Sequence, residues 1–475
     1  MIVPFASQSY KSDALPLAAQ RCVNLYAEVQ PPNAKTQVAV FGAPGIVSFA
    51  TCGTGPVRGM HVFKGVPYVV SGTFLYSFDA LGAATQLGGQ ISGSGRVSMD
   101  DNGVQIAIVN GTNGYIYSQT GGFVRITDTG FSAANTTTYL DGVFLFDHVN
   151  TNQVFRSAIL DGLDYSEGAF ASKEAKSDFI LAVRNLKEVL HYFGTGSTEL
   201  HANAGAANFP FQRLPGGTIN RGIVGSHAFA EADEALFMVG SDRIAYRLGG
   251  AQLQRISTHA IEQAWQKYTS VADAFGVAYT WRGHKFVTFT FPSQPVAPQS
   301  TNSWTWDVAT NLWHERESLD INRTQLGRWC GSCAAEAYNK VLIGDAFSGQ
   351  VGHLDDSVAT EFGRPMHAEA VAPVMHADQA RAFMRHYELD IEQGVGLTTG
   401  QGSDPQIMLD ISDDGGRTWS DQQRWRSMGK IGEYTKRLRW FKLGDFYQRV
   451  MRLTVSDPVP RRILRSVADL KVGMG

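Results

Sequence analysis

Gly72-Thr73-Phe74-Leu75-Tyr76-Ser77-Phe78-Asp79 carries the reading of the fold. Side chains alternate with period two between a leading glycine and a closing aspartate, which is a short strand bounded by turn residues. The layout recurs. Gly114-Tyr115-Ile116-Tyr117 is followed by Gly121-Gly122-Phe123-Val124, and Gly142-Val143-Phe144-Leu145-Phe146-Asp147 comes next. Asp242-Arg243-Ile244-Ala245-Tyr246-Arg247, Ser303-Trp304-Thr305-Trp306-Asp307 and Lys340-Val341-Leu342-Ile343-Gly344-Asp345 continue the set. Comparable units lie about 30 to 60 residues apart, enough for four short antiparallel strands each. Stacking such units radially gives a β-propeller, here of about six blades over residues 56–365.

The texture changes on both sides. Residues 1–55 read as an extended arm, because Pro4, Pro16, Pro31, Pro32 and Pro44 break any helix. Arg21-Cys22-Val23-Asn24-Leu25-Tyr26 is a strand candidate within it. From residue 366 to 475 longer strands are expected at Tyr387-Glu388-Leu389-Asp390-Ile391, at Ile407-Met408-Leu409-Asp410-Ile411 and over Arg449–Val455. They describe a separate antiparallel β domain, a platform that the arm joins. One helix interrupts the propeller: Ile261, Trp265 and Tyr268 share a face, with Thr258 or Ser257 as its cap.

Composition narrows the function classes. Of 475 residues, 43% are hydrophobic and 18% charged, too apolar and too charge-poor for disorder. The net charge of −3 excludes a generally basic nucleic-acid binder. The charge is uneven, however. Arg417 to Lys471 holds 14 Lys/Arg and 5 Asp/Glu, a local +9 that leaves −12 for the rest. Such asymmetry points to a directional interface. Four cysteines, with Cys22 and Cys52 isolated, do not make a disulfide framework, and a reducing compartment is expected. Met1-Ile2-Val3-Pro4-Phe5 has no signal-peptide pattern, and no run reaches the roughly 18 apolar residues of a membrane span. A soluble product made in a cytoplasm is expected.

Trp329-Cys330-Gly331-Ser332-Cys333 resembles a thioredoxin-type redox box, which needs its first thiolate at a helix N-terminus. A strand starting at Lys340 leaves no room for that helix, so Cys330 and Cys333 are expected as small strand residues. Ser412-Asp413-Asp414-Gly415-Gly416-Arg417-Thr418-Trp419 matches the Asp-box of sialidase propellers, a hairpin turn rather than a catalytic motif. Gly93-Ser94-Gly95-Arg96-Val97 lacks the ending of a phosphate cradle. Asp100-Asp101-Asn102-Gly103 reads as a turn, and the twelve histidines show no metal-ligand spacing. No catalytic, cofactor or metal residue is assigned, and no cofactor is expected. The basic stretches Lys436-Arg437-Leu438-Arg439-Trp440 and Arg461-Arg462-Ile463-Leu464-Arg465 nominate Arg437, Arg439, Arg461 and Arg462 as interface residues. They suit an acidic protein partner or DNA phosphate.

Several segments, in this order, resemble the packaged-DNA stabilisation or tail hub (nozzle) proteins of P22-like short-tailed phages. They are Val23-Asn24-Leu25, Pro44-Gly45-Ile46, Gly55-Pro56-Val57-Arg58-Gly59 and Gly93-Ser94-Gly95-Arg96-Val97-Ser98-Met99. Arg221-Gly222-Ile223-Val224-Gly225 and Ile256-Ser257-Thr258, leading to Ile261-Glu262 and Tyr268-Thr269, complete the series. Past residue 300 the likeness is one of texture. The resemblance implies a non-enzymatic virion protein of the tail, assembled in the bacterial host cytoplasm. Six copies would form a ring below the portal and its adaptor, retain packaged DNA and conduct it on ejection. Its partners would be further copies of itself, the portal adaptor, the tail needle, and fibre or spike proteins, with double-stranded DNA in passage. An acidic lumen would let that DNA slide. Two other readings fit the same strands: a sialidase-like or other carbohydrate-active propeller, and a non-catalytic glycan- or receptor-binding propeller.

Overall fold

The computed structural model describes residues 2–3, 7–294, 301–322, 324–378, 380–420 and 424–473. Met1, Pro4 and Phe5 of the amino-terminal reading lie outside them.

Phe74–Phe78 is a strand, paired through a turn at Gly72 with Val66–Ser71. Gly72 sits at φ +57°, in the left-handed region that glycine adopts without strain. With Val57–Phe63 and Ala84–Gly89 these strands make a four-stranded antiparallel sheet in chain order. Four more sheets of the same design follow, over 98–125, 137–172, 180–219 and 229–255. A sixth contains Phe275–Trp281, His284–Thr290, Ser303–Asp307 and Leu312–Glu315. The seventh contains Gly331–Ala337, Lys340–Asp345 and Gln350–Asp355, and its fourth strand is Gly45–Thr51.

Among the described residues the propeller sheets therefore number seven, against about six expected. The extra sheet escaped because its strands come from the two ends of the propeller sequence. It also takes Gly45–Thr51 out of the expected arm. The ring closes where Gly331–Ala337 packs on Val57–Phe63.

Each sheet is apolar on both faces, since side chains alternate between two neighbours. Ile106 and Ile108 pack toward the first sheet, while Ala107 and Val109 of the same strand pack toward the third. A separate buried cluster fills each of the seven spaces, including that between the seventh and first sheets, where Ala50, Cys52, Val57 and Val351 meet. At about 25 cal/mol per Å² of apolar surface, this burial supplies most of the stabilisation.

The helix runs from His259 to Gln266, and Tyr268 lies just past its end. Thr258 occupies the N-cap position but makes no side-chain cap bond. Ser257 instead donates its hydroxyl to Glu262 at 2.7 Å. Trp265 is fully buried, 5.0 Å from the Phe291 ring and 6.0 Å from Trp313. The aromatic stripe thus packs the helix on the sixth sheet.

The C-terminal domain is two facing sheets around one core containing Met384, Tyr387, Leu389, Ile407, Leu409, Trp440, Leu453 and Ile463. The arm is stitched into both. Ala19–Val23 lies between Leu312–Glu315 of the propeller and Ala368–Val371, so one continuous sheet runs through both domains. The hairpin of Leu25–Val29 and Val38–Gly42 pairs with Arg462–Val472 in the other sheet.

At this junction Arg21 is buried among three carboxylates. Its guanidinium donates to Glu315 at 2.5 Å, Glu317 at 2.8 Å and Glu369 at 2.9 Å. The three acids come from the propeller edge and from the C-terminal domain, so one cation holds three segments. Burial raises the Glu317 carboxyl, Arg21 opposes this, and Glu315 and Glu369 add to it, for a result of about 7.

Candidate assembly interface

The basic stretches meet acids from outside the window in which they were counted. Strand Ala382–Ile391 runs antiparallel to both Leu438–Phe441 and Arg462–Val472. Its register sets Glu388 opposite Arg439 and Asp390 opposite Arg465. Arg437 grips Glu388 at 2.7 and 2.8 Å, and Arg439 shares that carboxylate at 2.8 Å. Arg465 and Lys35 share Asp390, at 3.2 and 2.6 Å. Arg462 binds both oxygens of Glu392 at 2.6 and 2.7 Å. The +9 tract is thus partly neutralised on the surface of its own domain.

Of the four nominated arginines, Arg437, Arg439 and Arg462 reach the surface. Arg461 does not, because it is 2% exposed. Arg461 directly precedes strand Arg462–Val472 and keeps the inward phase of Ile463, while Arg462 points out.

The less neutralised part of the domain is its open edge. Arg424–Ser427 is the last strand of one sheet and Leu438–Phe441 the last of the other. Arg426 Nε donates to the Arg439 carbonyl at 2.7 Å, and Trp440 Nε1 donates to the Arg424 carbonyl at 2.8 Å, tying the two edges together. Trp425 is 47% exposed and Phe441 56%. Among the described residues, Arg424, Arg426 and Lys442 form no ion pair. Exposed aromatics beside unpaired arginines have the composition of an interface centre. Sequence reasoning missed Arg424, Trp425 and Arg426. The signal was their basic-aromatic-basic order on a short strand.

The remaining motifs are structural. Asp414 accepts from the Arg417 and Thr418 amides at 2.9 and 3.0 Å, from the Thr418 hydroxyl at 2.6 Å and from Ser412 at 2.7 Å. Desolvation raises its pKa, but these bonds outweigh it and hold the carboxyl well below the usual range. Beside this turn the Arg452 guanidinium lies 4.3 Å over the Trp419 ring. Cys330 and Cys333 are buried thiols; Cys333 lies in strand Gly331–Ala337 as expected, whereas Cys330 sits in the bend just before it. Burial pushes both pKa values up, the reverse of an activated redox pair.

Asp100 and Asp101 belong to strand Ser98–Asp101 rather than to a turn, which begins at Asn102. With His61 they bring ligand-type atoms within 4.8 Å of one another. Its side chains already have partners. His61 Nε2 and Asp101 Oδ2 are 2.7 Å apart, and Asp100 accepts from Thr138 and the Tyr139 amide at 3.2 and 2.9 Å.

The loop Gly93–Val97 is no phosphate cradle, because its backbone faces a cation of the chain. Arg58 donates to the carbonyls of Gly95, Gly72, Ile91 and Ser92 at 2.6 to 3.1 Å. Arg96 then reaches the Ser332 carbonyl at 2.6 Å and stacks 4.1 Å above Phe275. The loop of the second sheet is thereby fastened to the sixth and seventh, a clasp between distant members of the ring.

No helix among the described residues is long and apolar enough to cross a membrane. No curated protein matches the chain in sequence. Among solved structures, the extracellular domain of a putative hybrid two-component system from B. thetaiotaomicron is 9% identical with a TM-score of 0.43. That alignment covers 65% of this chain and 39% of the other, so the chain spans well under half its length. BamB from Moraxella catarrhalis is 10% identical with a TM-score of 0.39, covering 65% of this chain and 99% of its own. Two family profiles match nearly the whole chain: the bacteriophage P22 Gp10 β-propeller over residues 1–359 and the P22 Gp10 β-sandwich over residues 367–471. With its ring of sheets, its sandwich and its likeness along both, the chain belongs to the P22 Gp10 family of phage stabilisation proteins.

Proposed function

We propose that the protein is a non-enzymatic tail hub whose copies form a ring below the portal and its adaptor, retain packaged DNA and continue the channel for its ejection. The observation that carries this reading is the family match over both halves of the chain. In this proposal residues 366–475, with the strands contributed by the 1–55 arm, are the platform, and the propeller of 56–365 projects from it. The open edge at Trp425 and Phe441, flanked by Arg437 and Arg439, is the contact surface for an acidic neighbour in the assembly. Aromatic side chains supply the buried area there, and the arginines supply orientation. Arg462 lies on the same domain and is the remaining surface candidate.

The ring order of six, the needle and fibre or spike partners, the tail position and assembly in the host cytoplasm belong to the same proposal. So does an acidic lumen that repels DNA phosphate. The test is immunogold labelling of virions together with a knockout. The expected result is gold at the tail vertex, and mutant particles that package DNA but leak it. Protein absent from particles and free in the lysate would overturn the reading. The carbohydrate-active alternative would then be taken up with a glycoside panel.

A further inference from the structure

A small cavity lies where the sixth and seventh sheets meet the C-terminal domain. Tyr26, Gly42, Arg282, Asp356, Arg461 and Arg462 are among its walls, and its volume is about 20 Å³. That is room for one water-sized body.

Arg461 is the unusual wall. It is 2% exposed. Its Nη2 donates to the Met366 carbonyl at 2.7 Å and lies 3.4 Å from the Asp457 carbonyl. Its Nε and Nη1 are buried without a partner. Among the described residues it forms no ion pair, and the carboxylates nearby are already engaged. Glu361 is taken by Arg316 at 3.2 Å and by Trp329 Nε1 at 3.0 Å. Asp345 is held by Arg364 at 3.2 Å, and Asp457 accepts the Gln406 amide at 2.7 Å. At the rim Arg282 pairs with Asp356, and Arg462 pairs with Glu392.

Three buried arginines (Arg316, Arg364 and Arg461) face two buried carboxylates (Glu361 and Asp345) and the half-buried Asp457. Arg461 is the one that forms no ion pair among the described residues and has two idle donors. A buried charge without a partner is costly, and so is each orphaned donor. Burial lowers the pKa of Arg461, with Glu361 and Asp457 opposing, to about 10, so the group stays charged at neutral pH. Water in the cavity satisfies a donor but leaves the charge. A small monoanion seated there satisfies both.

We propose that this cavity is a binding site for a halide-class monoanion, chloride in solution, seated on the Arg461 guanidinium and tying the C-terminal domain to the propeller seam. Crystals of the full chain soaked in bromide give the direct test. Expected is an anomalous peak within hydrogen-bond distance of Arg461. Density there without anomalous signal means water and overturns the proposal. In solution, chloride-35 line broadening by the full chain should fall about tenfold in apparent affinity in Arg461→Gln, while Arg426→Gln, at an exposed arginine, leaves it unchanged. Equal broadening by wild type and Arg461→Gln also overturns it. If Arg461→Gln does not fold, the bromide experiment on the wild-type chain decides alone.

Discussion

Arg21 shows what one side chain does at the junction of three segments. It donates to Glu315, Glu317 and Glu369 at once. Removing it in Arg21→Ala strands three buried carboxylates, and a loss of about 3–5 kcal/mol is expected from chemical denaturation. The same cluster sets a pH dependence. The folded chain holds the Glu317 proton up to about 7, while the unfolded chain releases it near the ordinary value of 4.5. Between those values the folded state binds more protons, so this contribution is fully present below 4.5 and is lost as pH rises to about 7. Asp147, raised to about 6 by burial against its bonds from Thr136 and Asn135, acts with the same sign. In Glu317→Gln the decline of melting temperature with rising pH should therefore become shallower and finish near pH 6. An unchanged profile would contradict this assignment. Asp178 and Asp414 have lowered values, so their contributions fade only in acid, outside this window.

At the scale of elements, the strand Gly45–Thr51 closes the ring. Ile46 is fully buried, its neighbours in the cluster between the sixth and seventh sheets including Ile343 and Leu354. Ile46→Ala should cost about 2–5 kcal/mol, with early loss of amide-exchange protection in the paired strand Gln350–Asp355. The two edge strands of the C-terminal domain call for the opposite pattern. Trp425→Ala and Phe441→Ala remove exposed rings, so the melting temperature of the free chain should barely move. Incorporation into particles should fall, by about 2 kcal/mol per ring or roughly thirtyfold in affinity, if this edge is the assembly surface. The strand candidates at 74–78, 114–117, 143–147 and 303–307 were readable because alternation and glycine or aspartate turns are local. The pairing partner of 350–355 was not, since nothing local links residue 50 to residue 351. Nor were the edge positions of 424–427 and 438–441, which are defined by the absence of a further neighbour.

At the scale of the whole molecule, the proposed channel is an electrostatic object. Reversing acids that line it should slow DNA ejection from particles, since phosphate would then adhere. Equal ejection kinetics in wild-type and charge-reversed particles would remove the lubricating role while leaving the hub reading intact. The amino-acid order was enough for the strand content, the propeller followed by a second β fold, the Asp414 turn, the strand position of Cys333 and the family likeness. Each of these rests on neighbours a few residues apart or on motifs kept in order. The seventh sheet, the threading of 19–42 through both sheets of the second domain, and the matching of Arg437, Arg439, Arg462 and Arg465 to Glu388, Glu392 and Asp390 emerged only in three dimensions. So did the inward turn of Arg461. Charge and strand counts are sums along a chain. Pairing, closure and burial depend on which distant segments the packing brings together, and that was settled by the tertiary structure.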